Sequence, residues 1–575
     1  MKLEFLIRRK ALLILLLIIF VGVFLRFYKL GSNPPGLYWD EAVFGYDAYS
    51  ILKTAHDHHG RFLPLFFESF GDWKMPVYHY LLVSSIAIFG LNEFAVRFPS
   101  ALLGTLTVVV FYFLVKNLLS SNESRSMAHE SRKNKNINNS KFIIHNSEKI
   151  SLLATFFLAI SAWHIQFSRA GFESTAGLFF VVTGVYLFSL WKDSPKSIFY
   201  TFAMISFTLS MYSYHAYRIL TPLLVVILVY LNFKIFKKVV RSVILPSTFS
   251  LILLIPLIIF TFSQEGRARA ISQSAFKKEE IEKARIDYDQ KSKKPLRFLS
   301  KYLYQSPIYF SYVAVDNYVD QFSPIFLFFK GDQIGRHSQV DMGQIHYFEA
   351  VLILLSILTF KRLTPDAKKI MATFLLLSPI TAIIVEPTPH AQRTLQMALP
   401  LAFFSGLGAY FMFSQKQLTF LKVLMLVAST YFFLSYLHLL FVHYPQKFAA
   451  DWQDGYKQMV REVKKYQDSY EKVYITNINQ VPYIYVLFYG KYDPQKFKDL
   501  QGTKDSFDKY VFISDDVNIY DKALLAGPLR SEASRQGGIL YVAPSWQKVD
   551  GKWLAAVDDN TGRHIYSLWE IGGQD

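Results

Sequence analysis

Long uninterrupted apolar runs, not alternating or amphipathic ones, set the pattern of the first three-quarters of the chain. They extend over Ala11–Leu25, Phe98–Val115, Ile150–Phe167, Ala176–Trp191, Ile198–Tyr217 and Ile219–Phe233. Further runs follow at Ser242–Gln264, Ala350–Phe360, Ile370–Val385, Leu395–Ser414 and Val423–His443. A helix that crosses a bilayer needs roughly 20 apolar residues, within a range of about 17 to 25. Some of these runs are short and borrow flanking residues. The pattern predicts about eleven spans, with an amphipathic or re-entrant segment at Val77–Leu91 that does not cross. The first run follows Arg8, Arg9 and Lys10, as a signal peptide would. No small-residue cleavage site follows it, and a retained anchor is expected. The fold class is a polytopic α-helical membrane protein.

The polar stretches between the runs predict orientation and domains. Basic residues collect at Arg8–Lys10, in the Asn/Ser/Lys-rich segment 120–149, at Lys192 and Lys196, and at Lys234–Arg241. More stand at Lys361–Lys369, Lys416 and Lys422. By the positive-inside rule all lie on the cytoplasmic side. The N-terminus is then inside, and the two long loops 27–96 and 265–348 are outside with the C-terminal tail. Residues 1–443 form the membrane-embedded domain, and 444–575 a small extracytoplasmic α/β domain. In that tail 472–476, 510–513 and 538–542 read as strands, 460–468 and 482–489 as helices. The expected location is the plasma membrane.

Composition agrees with this reading. The chain is 52% hydrophobic and 17% aromatic, with only 18% charged residues, against about a quarter in soluble domains. Its 62 Lys+Arg exceed 44 Asp+Glu, for a net charge of +18. In a soluble protein such an excess would suggest nucleic acid. Here it follows from topology, and no nucleic-acid partner is expected. With no cysteine, disulfide scaffolds, cysteine nucleophiles and Cys-ligated zinc or iron–sulfur centres are excluded.

Candidate chemistry sits at the outer ends of the spans. Trp39-Asp40-Glu41-Ala42-Val43-Phe44-Gly45 places adjacent carboxylates among aromatics just beyond the first span. Such a pair supplies a general base and a partner that tunes it, or caps a helix. Asp72-Trp73-Lys74-Met75-Pro76 brings a lysine that either meets a phosphate or anchors the interface. Arg169 and Glu173, at the end of the third span, either pair four residues apart on one helix or bind a phosphate and a sugar hydroxyl. Tyr214 and Arg218 end the fifth span, and His390 and Arg393 follow the ninth. Several arginines on the face that holds Asp40 favour an anionic lipid-linked ligand. The run His56-Asp57-His58-His59 reads as loop surface, since contiguous histidines seldom converge on one ion.

Trp39-Asp40-Glu41-x-x-Phe44-Gly45 resembles the Asp-Glu signature in the first outer loop of the protein O-mannosyltransferases. Lys74-x-Pro76 with the aromatics that follow is similar to an element of the lipid A aminoarabinose transferases. Ser168-Arg169-x-x-x-Glu173 resembles a second-loop element seen also in oligosaccharyltransferase catalytic subunits. Ser323-Pro324-Ile325-Phe326-Leu327-Phe328-x-x-Gly331-Asp332, with Arg336-His337, resembles a late outer loop of bacterial members. Together these resemble the C-type (GT-C) membrane glycosyltransferase superfamily over about residues 10 to 440. Met75-Pro76 stands where that superfamily often has Pro-Pro, Glu173 where it often has Asp, and 265–348 is too short for a β-trefoil. These departures speak against a protein mannosyltransferase.

The resemblance implies an inverting enzyme that moves a hexosyl or pentosyl group from a polyprenyl-phosphate donor to an acceptor hydroxyl on the outer face. Asp40 would be the general base and Glu41 its partner. Lys74, Arg169, Glu173, Arg218, His390, Arg393, Asp72 and Tyr214 would bind the donor. No residue is assigned to a metal, and no cofactor is implied beyond room for a divalent cation. The partners are the donor, the bilayer, and an acceptor that is a lipid, a glycan or a protein. The alternative is a transporter or flippase of lipid-linked sugars. Transporters favour mid-membrane charges and internal repeats, whereas here the charges cluster at span ends and no repeat is seen.

Overall fold

The computed structural model describes residues 2–120, 138–267, 274–275, 277–291, 302, 305–477, 481–513 and 538–571. Parts of the expected loops 120–149 and 265–348 lie outside the described residues. The protein is mostly helical, with a mixed sheet near its C-terminal end. Its contacts gather into two compact units interleaved along the sequence. One comprises Met1–Tyr28, Ser100–Ser168 and Phe172–Leu437; the other comprises Lys29–Pro99, Arg169–Gly171 and His438–Asp575. The first outer loop thus groups with the tail.

The first unit is built of apolar helices, and the chain is a multi-pass membrane protein. Among the described residues, six helices are long and apolar enough to cross a membrane: Arg9–Phe27, Glu93–Ser120, Glu173–Asp193, Val240–Phe262, Leu395–Ser414 and Lys416–Lys447. A bent pair, Asn146–Ile160 and Ala162–Ser168, makes a seventh if it is one span. Four shorter apolar helices, Pro76–Phe89, Ser197–Met211, Tyr217–Leu231 and Glu349–Phe360, fall below a full crossing by themselves. The run 370–385 stops being α-helical after Leu377, and Pro379 sits in the short 3-10 turn that follows.

The run Ile150–Phe167, read as one span, is two helices bent by 56°. A break in a helix frees carbonyls that water cannot reach in a membrane. Here side chains take them up. Arg26 donates through Nη1 to the Ala159 carbonyl at 3.0 Å, and His346 Nε2 lies 3.0 Å from that of Ile160. Ser161 Oγ accepts the His164 backbone N–H at 3.3 Å and so starts the second helix. Arg26, which as sequence belongs to the basic end of the first span, is fully buried. It is a helix-end partner, not an interfacial anchor.

The second unit joins the first outer loop to the tail. The loop forms the helix Trp39–Thr54, a hairpin of β1 (Phe67–Ser69) and β2 (Asp72–Lys74), and the helix Pro76–Phe89. The tail has β3 (Lys472–Thr476), β4 (Ser506–Phe507), β5 (Tyr510–Ile513), β6 (Ile539–Pro544), β7 (Lys552–Asp558) and β8 (His564–Ile571). They form one sheet in the order β4-β5-β3-β6-β8-β7. Strand β3 runs parallel to β5 and β6, and the other pairs are antiparallel. The three expected strands are β3, β5 and β6, and the expected helices appear at Tyr456–Tyr466 and Pro482–Gly490. Strands β4, β7 and β8 were not foreseen. Tyr474, Ile539, Tyr541, Ala543 and Ile571 make the core against one face of the sheet. The helix Trp39–Thr54 packs closely on Pro482–Gly490 at Gly45, where a Cβ would lie 2.5 Å from the Phe488 ring.

Candidate active site

Asp40 and Glu41 are neighbours in sequence and opposites in environment. Both stand in the first turn of the helix Trp39–Thr54, where carboxylates favour the positive end of the helix dipole. Glu41 is buried and saturated. Arg97 donates to it through Nε at 3.0 Å and Nη2 at 3.1 Å. The backbone N–H groups of Gly171 (2.8 Å) and Tyr38 (3.2 Å) also donate to it. Gly171 leaves room for that approach: a Cβ there would sit 3.1 Å from Glu41 Cγ, closer than ordinary contact. Arg97 is itself fully buried and also donates to the carbonyls of Leu30, Pro34 and Gly36. Glu41 is therefore the post that fixes the loop entering the helix.

Asp40 points elsewhere, and its side chain keeps 26% of its surface open. Lys74 Nζ lies 3.1 Å from its Oδ2 and 3.2 Å from Asp72 Oδ2. Ser69 Oγ donates to its Oδ1 at 3.4 Å. Asp72 and Lys74 are two apart on β2 and so share a strand face, which turns both toward Asp40. The hairpin register, Phe67 opposite Lys74 and Ser69 opposite Asp72, delivers Ser69 to the same place. Lys74 is 4% exposed and lies 6.0 Å from the centre of the Phe44 ring. A buried ammonium needs anionic partners, and two carboxylates supply them.

The tail holds this loop by its backbone. Gln453 accepts the Trp39 N–H at 2.8 Å, and the Tyr485 hydroxyl donates to the Leu37 carbonyl at 3.0 Å. Both bonds close immediately before Asp40. Arg97 also stacks over the Trp452 ring at 5.6 Å.

The other expected residues are distributed as follows. Arg169 is buried in the same unit as Asp40, donating to the Asn33 carbonyl at 2.8 Å with its guanidinium 5.2 Å from the Phe441 ring centre. Glu173, Tyr214, Arg218, His390 and Arg393 belong to the first unit. Ser168 ends one helix and Glu173 begins another, so Arg169 and Glu173 do not share a helix face as their spacing suggests. Arg218 stacks over Phe260 at 5.6 Å and meets Thr261 Oγ1 at 3.4 Å. Tyr214, His390 and Arg393 are buried.

Sequence reasoning missed Arg97, Gln453 and Tyr485. A charge at the head of an apolar run, in Val96-Arg97-Phe98-Pro99, was the available signal for the first. It also assigned no residue to a metal. Among the described residues, Asp332, His337 and His390 are all buried and bring one ligand atom each within 4.8 Å of one another. Asp332 and His337 share one loop and His390 comes from another, which spacing cannot join.

The histidine run is only in part loop surface: Asp57 and His58 are buried, and His59 is exposed. His58 is buried, with Nδ1 2.5 Å from Asp47 Oδ1, and its backbone N–H donates to the same oxygen at 3.0 Å. Burial alone would lower the His58 pKa, but the Asp47 carboxylate outweighs it and holds it above the ordinary 6.5. Burial alone would raise Asp47; His58 holds it below 3.8. A raised histidine contributes stability that is complete below pH 6.5 and is lost as pH rises through the folded value. Asp57, pushed up to about 6 by burial, and His59, pushed down to about 4, change charge on the acid side of that window. The thermal midpoint of the purified protein should therefore fall as pH rises above 6.5. In His58→Gln that slope should flatten; an unchanged slope would remove the pair from the account.

Comparison with known proteins adds the following. The family model for dolichyl-phosphate-mannose-protein mannosyltransferase matches residues 16–129, a stretch that holds Asp40, Glu41, Lys74 and Arg97. An uncharacterised protein of Aquifex aeolicus is 25% identical over 196 residues, 34% of this chain and 33% of that protein. This match thus spans about a third of the relative's length. ArnT from Cupriavidus metallidurans bound to undecaprenyl phosphate superposes with a TM-score of 0.53 and 9% identity, covering 96% of this chain and 97% of ArnT. Its apo state gives 0.50 and 11% over the same shares. The Archaeoglobus fulgidus oligosaccharyltransferase tethered with an acceptor peptide gives 0.45 and 12%, over 83% of this chain and 63% of that protein. The chain has the C-type membrane glycosyltransferase fold, as its outer-loop motifs led us to expect.

Proposed function

We propose that this chain is an integral-membrane glycosyltransferase that moves a sugar from a polyprenyl-phosphate donor to an acceptor hydroxyl on the extracytoplasmic face. The observation that carries the reading is the cluster of Asp40, Lys74 and Asp72, where a partly open carboxylate meets a buried ammonium at 3.1 Å. The ArnT structure with undecaprenyl phosphate supports a lipid-phosphate donor for this fold. The N-terminus lies inside and the C-terminal region outside.

The reaction is one in-line displacement with inversion. The acceptor oxygen forms its bond to the anomeric carbon and gives its proton to Asp40. The bond from that carbon to the phosphate oxygen breaks, and the lipid phosphate leaves with the electron pair. Negative charge then grows on the phosphate, where a preorganised cation is worth most. Lys74 supplies it, Asp72 holds Lys74 in place, and Glu41 positions Asp40 through its bonds to Arg97 and Gly171. Arg169, buried in the same unit as Asp40, is a further cation for the donor.

Lys74→Ala should lower kcat/KM for the donor by about 10²-fold or more and leave the acceptor KM nearly unchanged. Steady-state kinetics with each substrate varied in turn checks this. Unaltered donor kinetics would remove Lys74 from the site. The same assay in detergent, with no sealed vesicle, separates the enzyme from a carrier of lipid-linked sugars: a carrier yields no glycosylated product there.

A further inference from the structure

The geometry points to a divalent-cation site of the zinc class, formed by Asp332, His337 and His390. Asp332 Oδ2 is 3.2 Å from His337 Nδ1 and 4.0 Å from His390 Nδ1. Zinc takes nitrogen and oxygen ligands at about 2.0–2.2 Å in a tetrahedral shell, which sets neighbouring ligand atoms about 3.3 Å apart. The observed separations bracket that value, and none of the ligand atoms exceeds 4.8 Å from another.

Three features favour an ion over a plain Asp–His hydrogen bond. First, the ligands come from two loops, and His390 brings its ring within 5.1 Å of that of His337, centre to centre. Two imidazoles converging on one carboxylate are a donor set, while a single pair satisfies a hydrogen bond. Second, the carboxylate is aimed by the backbone. Ile334 N–H donates to Oδ1 at 2.9 Å and Ala391 N–H to Oδ2 at 2.7 Å. Outer-shell bonds of this kind fix ligands in metal sites. Third, the loop bearing His390 is pinned independently, its backbone N–H donating to Gln321 Oε1 at 3.1 Å. The set of two imidazoles and one carboxylate selects a borderline cation such as Zn²⁺ over Mg²⁺ or Ca²⁺, which prefer oxygen shells. Three protein ligands leave a fourth position for water or a substrate oxygen. His390, expected from sequence at the donor, is here the ligand that ties its loop, with Arg393 three residues on, to the loop of Asp332.

The test uses the full chain in detergent, with any histidine tag removed. After chelator treatment and dialysis, titration with Zn²⁺ should bind one ion per chain by calorimetry and elemental analysis. Co²⁺ should give the visible absorption of a tetrahedral centre and be displaced by Zn²⁺. His337→Ala and His390→Ala should each abolish the Co²⁺ band, while His564→Gln, in the C-terminal sheet, should leave it intact. Failure of the unmutated chain to bind Zn²⁺ or Co²⁺ stoichiometrically would overturn the site. So would a Co²⁺ band that survives both histidine substitutions. None of these readouts depends on sugar transfer, so the site stands or falls apart from the proposed reaction.

Discussion

Replacing Asp40 by asparagine is expected to cut sugar transfer by about 10²–10⁴-fold, the usual worth of a general base, while the protein stays folded and membrane-inserted. Asparagine keeps the shape of the side chain and can still accept from Ser69 and Lys74. Lys74 also retains Asp72 at 3.2 Å, so its buried charge is not orphaned. The Asp40 side chain is partly open, so the substitution removes one of two ion pairs to Lys74 and leaves no deeply buried charge alone. Turnover measured with a polyprenyl-phosphate sugar donor should therefore collapse while the thermal midpoint barely moves. Asp72→Asn, which leaves Asp40 in place, should retain more activity. Near-normal turnover in Asp40→Asn would sink the assignment of Asp40 as base.

The fold and this site were legible to different depths, for physical reasons. Membrane helices announce themselves through the cost of burying polar groups in lipid, so Ala11–Leu25 and Val423–His443 stand out without any tertiary knowledge. The broken span at Ser161 does not. Its apolar run is continuous, and what tolerates the break is Arg26, more than a hundred residues away. The Asp40-Glu41 pair and Lys74 were visible because acids and a lysine framed by aromatics are rare at span ends. Their unlike roles were not visible. Whether Asp40 or Glu41 is consumed by the fold depends on Arg97 and on a backbone N–H at Gly171, both distant in sequence. The same holds for the tail. Its strands β3, β5 and β6 follow from local β-propensity, but its grip on Leu37 and Trp39 through Tyr485 and Gln453 is a contact across more than 400 residues.

That unlikeness of the two carboxylates gives the second large effect, on stability. Glu41→Gln removes the charge from a buried carboxylate and leaves the Arg97 guanidinium fully buried without its counter-ion. Breaking one side of a buried pair typically costs about 3–5 kcal/mol. For a unit of this size each kcal/mol shifts the midpoint by about 2–4 °C. The melting temperature should thus drop on the order of 10 °C, far more than in Asp40→Asn. Arg97→Met should fall comparably, because it strands Glu41 instead. The double variant Glu41→Gln/Arg97→Met should recover much of the loss, since neither charge is then left alone. Activity should fall in both single variants but return in part at low temperature, where the loop that carries Asp40 stays folded. An inactive Glu41→Gln with an unchanged melting temperature would show the opposite: that Glu41 acts on the reactants, and that the fold tolerates its loss.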